Sequence, residues 1–317
     1  MRKTLYLYIG LVSLAIFLIL FYLSFHTYGN WSFALSLRGK RVMAFILVAC
    51  ATSISTIAFQ TITHNTLLTP GILGFDQIYV LIQTLFFFFL GGSTVLQSHS
   101  LPQFLGSIFL MVCLSTILSF LLLKKANGDI FLVLMVGIVS GTIFSSISTA
   151  LQVVMDPNEY DLLQSKLFAS FGQIDTQHFF WATLLIVVGS TILFLLAPEL
   201  DVTHLGRHHA TVLGIDMNWL QIIVLASVAI LSGTATALVG PTIFLGFIAA
   251  TLSYQLFKTY HHRLLFMGST LISICLLVAA QILVEQIFAF NVTISTVIEF
   301  TGGGLFLLKI IHERSRT

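Results

Sequence analysis

Two carboxylates stand in stretches that are otherwise apolar: Asp76, just after Gly74-Phe75, and Glu299, just before Gly302-Gly303-Gly304. An ionised acid in hydrocarbon is costly and by default marks a functional site, unless the side chain sits at an interface where the cost is small. Hydroxyls are grouped too. Ala51-Thr52-Ser53-Ile54-Ser55-Thr56 precedes Gln60, and Gly137, Ser140, Gly141, Ser145, Ser148 and Thr149 recur along one apolar run. Small residues so spaced either let helix backbones approach closely or line a polar pathway with their hydroxyls. The sequence leaves both open. Covalent chemistry is not legible, because no nucleophile stands with a base. His208-His209 and His261-His262 are adjacent pairs, and neighbours on a helix point about 100° apart rather than at one ion. Cys50, Cys113 and Cys275 lie inside apolar runs, which argues against a disulfide framework or a zinc site. Gly39-Lys40 is followed by Arg41, so no phosphate-cradling GxxxxGK[ST] loop is present. No catalytic residue, metal or cofactor is expected.

The elements that must carry these residues follow from composition. Of 317 residues, 57% are hydrophobic and 8% charged, against roughly 25% charged in soluble domains. Too few charges remain to keep a soluble enzyme's surface in water. A net charge of +2 gives no case for nucleic acid. Apolar residues in this number fill roughly eight to ten membrane spans of about 20 residues each. The runs predict an all-α polytopic membrane protein with spans at 5–25, 42–62, 72–90, 103–123, 129–150, 178–197, 218–238, 241–257, 264–284 and 294–311. Residues 72–90 and 241–257 are short and interrupted, so nine spans is the alternative. The first run lacks a small-residue cleavage site before Asn30 and reads as a retained helix rather than a signal peptide. No linker divides the chain, so residues 1–317 form one domain.

Orientation follows from the lysines and arginines. With the N-terminus inside, the cytoplasmic segments hold ten: Arg2, Lys3, Lys124, Lys125, Arg207, Lys258, Arg263, Lys309, Arg314 and Arg316. The outside holds Arg38, Lys40, Arg41 and Lys166. Both termini are therefore expected to be cytoplasmic, and the cluster Arg38-Gly-Lys-Arg41 resists the bias. Two connections have length to spare. Residues 151–177 lie outside and carry Asp156, Glu159, Asp161 and Asp175; residues 198–217 form the longest cytoplasmic connection. Both read as solvated loops.

Arg38-x-x-Arg41 runs into the second span, and then comes Gln60-x-x-x-His64-Asn65-x-Leu67-x-x-Pro70-x-x-Leu73-Gly74. Further along stand Leu205-Gly206-x-x-x-Ala210-x-x-Leu213-Gly214, Gly240, Phe244-Leu245-Gly246-Phe247-Ile248 and Gly302-Gly303. In this order the chain resembles the permeases of ABC importers for iron–siderophore complexes, haem and vitamin B12. The nearest flavour is the catecholate-siderophore subgroup, from TPGILGFDQIYVLIQT and the HHR segment at 261–263. Departures fall mainly in the last third. Ala250-Thr251-x-x-Tyr254 replaces a P-H-x-x-R motif, and Asn291-Val292-Thr293-Ile294-Ser295 replaces E-L-P-x-G. Glu285 stands near where the family has an arginine, and Gly39-Lys40 fills the middle of R-x-P-R.

The resemblance implies a vitamin-B12-permease-like bundle of about ten helices in the bacterial cytoplasmic membrane. It would pair with a second permease, homo- or heterodimeric, around a central pathway. Two ATP-binding subunits would dock at residues 198–217, which assigns Gly206, Arg207, Ala210 and Gly214 to coupling. An extracytoplasmic siderophore-binding protein would dock on Arg38 and Arg41. Gln60, Ser145, Ser148 and Glu299 would line the pathway. Haem or vitamin B12 is the alternative cargo. An ion-coupled secondary transporter is disfavoured, because that design needs paired intramembrane charges and inverted repeats, neither of which the sequence offers.

Overall fold

Inside a bilayer a chain must satisfy its own backbone hydrogen bonds, and a long apolar run does so by coiling into a helix. The computed structural model describes residues 2–25, 31–92, 101–126, 130–167, 171, 176–289 and 291–314. Asp175 and Arg316 lie outside these. A helix occupies each of the ten predicted spans: α1 (Arg2–Ser24), α2 (Trp31–Ile62), α3 (Phe75–Leu90), α4 (Leu101–Ala126), α5 (Ile130–Val154), α7 (Thr176–Leu195), α10 (Met217–Val239), α11 (Leu245–Phe257), α12 (His262–Gln286) and α13 (Ile294–Arg314). Seven of them are long and apolar enough to cross a membrane by that measure alone; α3 and α11 are apolar but shorter. Among the described residues three short helices lie between spans: α6 (Pro157–Leu167), α8 (Ala197–Thr203) and α9 (Arg207–Val212).

Both segments expected as loops therefore carry helix. In α6, Leu163 is buried with Phe87 and Met155, so one apolar face pins the segment down. A second difference is at α2, which starts at Trp31 rather than 42. Arg38 and Arg41 are thus on a helix, not on a loop leading into one.

Burial sorts the helices into centre and rim. The apolar window of α2 is 78% buried and those of α10 and α12 are 61%, against 6% for α1 and 17% for α5. The exposed side chains of α1, such as Leu5, Phe17 and Leu20, suit contact with lipid. Its inner side holds to α12, where the Tyr8 hydroxyl donates to the Leu264 carbonyl.

Two helices begin inside the bundle. At 16 and 13 residues, α3 and α11 span about 24 and 20 Å at 1.5 Å per residue, short of a hydrocarbon core of about 30 Å. Gly74, with φ 96°, turns the chain into α3 against the middle of α5, where a Cβ would lie 3.2 Å from the Gly141 Cα. A Cβ on Gly137 would lie 2.1 Å from the Leu73 side chain. Close approach is therefore what the α5 glycines provide. At the start of α11, a Cβ on Gly246 would fall 2.1 Å from Thr56 Oγ1 and 2.8 Å from the Thr52 carbonyl oxygen on α2. Gly246→Val should therefore destabilise the protein by more than the roughly 1–3 kcal/mol of ordinary overpacking, because backbone has to move. Thermal unfolding of the detergent-purified chain measures this, and an unchanged midpoint would refute the contact.

Candidate transport pathway and its end clusters

A groove of about 740 Å³ runs along the exposed side of α5, bordered by Gly71, Ile72, Gln77 and Ile243. Ser145, Ser146 and Thr149 present their hydroxyl-bearing side chains to it. Gly137 and Gly141 pack against the residues leading into α3, Gly141 also bordering the groove, while Ser145, Ser146 and Thr149 lie along it. Ser148 is buried, and its hydroxyl donates to the Phe144 carbonyl at 2.9 Å. Glu299 is exposed on α13. Asp76 is buried in the first turn of α3, accepting from Thr236 Oγ1 at 3.3 Å, and Gly71 and Ile243 border both its cavity and the groove.

Gln60 lies elsewhere, at the end of the bundle carrying α8 and α9. It borders a cavity of about 520 Å³ with His64, Asn65, His204, Tyr254 and Lys258. Its Nε2 donates to the Thr66 carbonyl at 2.8 Å, while buried Oε1 has no hydrogen-bond partner among the described residues. Of the four pathway candidates, the structure sets Ser145 on the groove and Gln60 on this second cavity.

Residues 198–217 form a compact knob. Gly206 (φ 95°, ψ 157°) opens α9 in a conformation essentially reserved for glycine, and Gly214 (φ 88°) turns the chain toward α10. Ala210 is fully buried beneath the knob. Arg207 reaches across, Nη2 donating to Asn218 Oδ1 at 3.1 Å. Asp216 caps α10, accepting from the backbone N–H groups of Asn218 and Trp219 at 3.0 and 3.3 Å.

The knob is tied to the bundle through Asp201 on α8. One carboxylate oxygen accepts from the His262 backbone N–H at 2.7 Å and from its Nδ1 at 2.6 Å; the other meets His261 Nδ1 at 3.2 Å. With Nδ1 engaged, His262 Nε2 meets Thr61 Oγ1 on α2 at 2.7 Å. Asp201 thus caps the N-terminus of α12 from another helix, where a negative charge is favoured. The two neighbouring rings converge on an acid rather than on a metal ion, and the reason is local. The helix starts between them: His261 is the extended N-cap (φ −74°, ψ 109°), so both rings reach one acid. Burial opposes ionisation of Asp201, but the bonds from the His262 backbone and ring and from His261 outweigh it, holding its carboxyl below the ordinary 3.8. Such an acid stabilises the fold fully above its unfolded-state pKa and loses that contribution as pH falls through the lowered value. The tie therefore holds throughout the neutral range.

At the opposite end, Arg38 and Arg41 share Glu285 of α12. Arg41 Nη1 lies 2.9 Å from Glu285 Oε1, and Arg38 Nη2 lies 3.6 Å from Oε2. Tyr22 and Gln281 also donate to that carboxylate. Arg38 Nη1 donates to the carbonyls of Tyr22 and Phe25, closing the last turn of α1. The arginine side chains are 15% and 17% exposed and Glu285 is 6% exposed, so this cluster of net charge +1 is mostly internal. Sequence reasoning noticed Glu285 only as a departure, and it passed over Asp201. Both carboxylates were visible as acids at span ends, but their partners were not.

The chain matches the FecCD transport family over residues 4–312 and belongs to it. It is 40% identical to the petrobactin import system permease protein YclO of Bacillus subtilis (strain 168), over 97% of this chain and 96% of that one. It is 37% identical to the petrobactin import system permease protein FatC of Bacillus anthracis, over 86% and 77%. The hemin transport system permease protein HmuU of Yersinia pestis is 28% identical over 93% and 90%. A metal-chelate type ABC transporter solved in an inward-facing conformation has the same fold, with a TM-score of 0.83 at 20% identity over 97% of this chain and 99% of that one. The protein is a membrane transport subunit of the ABC importer permease type.

Asp201→Ala removes the α12 cap and both ring bonds. It should destabilise the purified permease by about 2–4 kcal/mol, read as a lowered unfolding midpoint at neutral pH. At a pH well below 3.8, where wild-type Asp201 is itself protonated, the two proteins should converge. A gap that persists in acid would refute the ionic tie.

Proposed function

We propose that the protein is the membrane-spanning subunit of a bacterial ABC importer that carries a ferric siderophore of catecholate type across the cytoplasmic membrane, with petrobactin as the first candidate cargo. The observation that carries this reading is 40% identity, across nearly both full lengths, to a petrobactin import permease. Two ATP-binding subunits hydrolyse ATP against the α8–α9 knob, which faces the cytoplasm in line with the lysine and arginine bias. An extracytoplasmic binding protein delivers cargo at the Arg38–Arg41 end. A second permease, like or unlike this one, completes the pathway against the groove of α5.

In this mechanism the chain does no covalent chemistry. The groove offers hydroxyls rather than fixed charges, so cargo meets weak contacts and does not stall, as conduction requires. Gly206, Arg207, Ala210 and Gly214 keep the knob stiff, and the Asp201–His262–Thr61 chain carries its displacement to α12 and α2. At the other end, Arg38 and Arg41 outnumber Glu285 by one charge. That surplus attracts carboxylates of the binding protein, setting its approach and register more than its affinity.

Uptake of ⁵⁵Fe as ferric petrobactin should fall in cells lacking the gene, with haemin and cobalamin uptake unchanged; a defect confined to haemin would transfer the cargo to the alternative reading. Arg38 and Arg41 cannot be removed alone without stranding buried Glu285, a loss of about 3–5 kcal/mol. The combined Arg38→Gln, Arg41→Gln and Glu285→Gln variant avoids this. It should assemble, yet bind the docking protein more slowly and without salt dependence; unchanged association kinetics would refute the docking role. Gly206→Ala meets no atom within 4 Å and acts only through backbone strain. It should lower cargo transported per ATP hydrolysed, and an unchanged ratio would remove the knob from coupling.

A further inference from the structure

The cavity around Asp76 has a composition that the transport reading does not use. It measures about 20 Å³ and is walled by Thr52, Ser55, Thr56, Thr69 and Thr236 together with the acid. That is room for one water-sized occupant. It lies where α3 and α11 begin within the bundle, since Asp76 is in the first turn of one and Gly246 of the other lines the wall.

A count of hydroxyl protons shows what the cavity attracts. Each hydroxyl has one proton. Thr52 gives its own to the Val48 carbonyl at 2.8 Å; Ser55 and Thr56 give theirs to the Thr52 carbonyl at 3.1 and 2.7 Å. Thr236 gives its proton to Asp76. What these three α2 hydroxyls retain toward a ligand is lone pairs, and the carboxylate adds more. Among the described residues no lysine or arginine pairs with Asp76, whose hydrogen-bond partner is Thr236. A helix N-terminus offsets about 0.3–1 kcal/mol of an acid's charge, whereas burying an unpaired ion costs several kcal/mol. A neutral water would leave that deficit standing.

We infer that this cavity is a sodium site, with Asp76 supplying the charge and the α2 hydroxyls supplying neutral oxygen ligands. Oxygen-only ligation beside interrupted helices suits a small hard cation. Gly71 belongs to the site by its lack of a side chain, because a Cβ there would lie 2.5 Å from Asp76 Oδ2. Gly71 and Ile243 also border the groove, so the ion neutralises an acid directly behind the pathway wall. The inference does not depend on which cargo is carried.

The test is equilibrium binding of ²²Na⁺ to the purified permease with its ATP-binding subunits in nanodiscs, by scintillation proximity at neutral pH. Wild type should bind ²²Na⁺ saturably, displaced by sodium chloride but not by choline chloride. Asp76→Asn should weaken binding by more than the roughly tenfold to hundredfold typical of losing a ligand-supporting group, and Thr56→Val by about tenfold. Should Asp76→Asn fail to assemble, Thr56→Val and Thr236→Val carry the comparison. Absence of saturable binding in wild type, as expected if Asp76 holds a proton instead, overturns the site. Equal binding by wild type and the assembled variants overturns it too.

Discussion

An ionised carboxylate among apolar helices has to be answered locally, and this permease is arranged around three such answers. Glu285 is met by two guanidinium groups, Tyr22 and Gln281. Asp201 is met by two imidazoles and a helix N-terminus. Asp76 is met by one hydroxyl and a small oxygen-lined cavity. Each answer joins helices that are distant in sequence. Breaking a buried pair costs far more than its net contribution to stability suggests, so these acids fix which helix ends lie together while the apolar contacts supply bulk cohesion.

The first two clusters sit at opposite ends of the same two helices. Arg38 and Arg41 near the start of α2 hold the end of α12, and Thr61 at the end of α2 holds the start of α12. An antiparallel pair clamped at both ends cannot slide in register without breaking charge-assisted bonds. The apolar window of α2 is 78% buried and that of α12 equals α10 at 61%, so the clamped pair belongs to the centre of the bundle.

Much of this architecture was legible in the sequence because it depends on local properties. Apolar runs, their lengths and their punctuation locate ten helices, and Gly206 and Gly214 mark turns that only glycine makes comfortably. Depth was less legible. That α3 and α11 start inside the bundle depends on Gly74 meeting Gly141 and Gly246 meeting Thr56, and a glycine does not announce its partner. The start of α2 was missed because the charged run Arg38-Gly-Lys-Arg41 separates the mostly apolar residues 31–37 from the span that follows. Long-range pairing was least legible: Arg41 and Glu285 are 244 residues apart, and Thr61 and His262 are 201. Convergence of His261 and His262 on Asp201 was equally illegible, because it depends on the helix starting between the two histidines.

The glycine contact at Gly141 has a mechanical consequence. It falls twelve residues into the 25-residue α5, a rod of about 37 Å, and it brings two backbones together with no side chain between them. Gln152, near the far end of α5, also donates to Thr84 of α3 at 3.1 Å. The two helices are therefore fastened at the middle and at one end, and this part of the groove wall is a single stiff unit that can be displaced only as a whole.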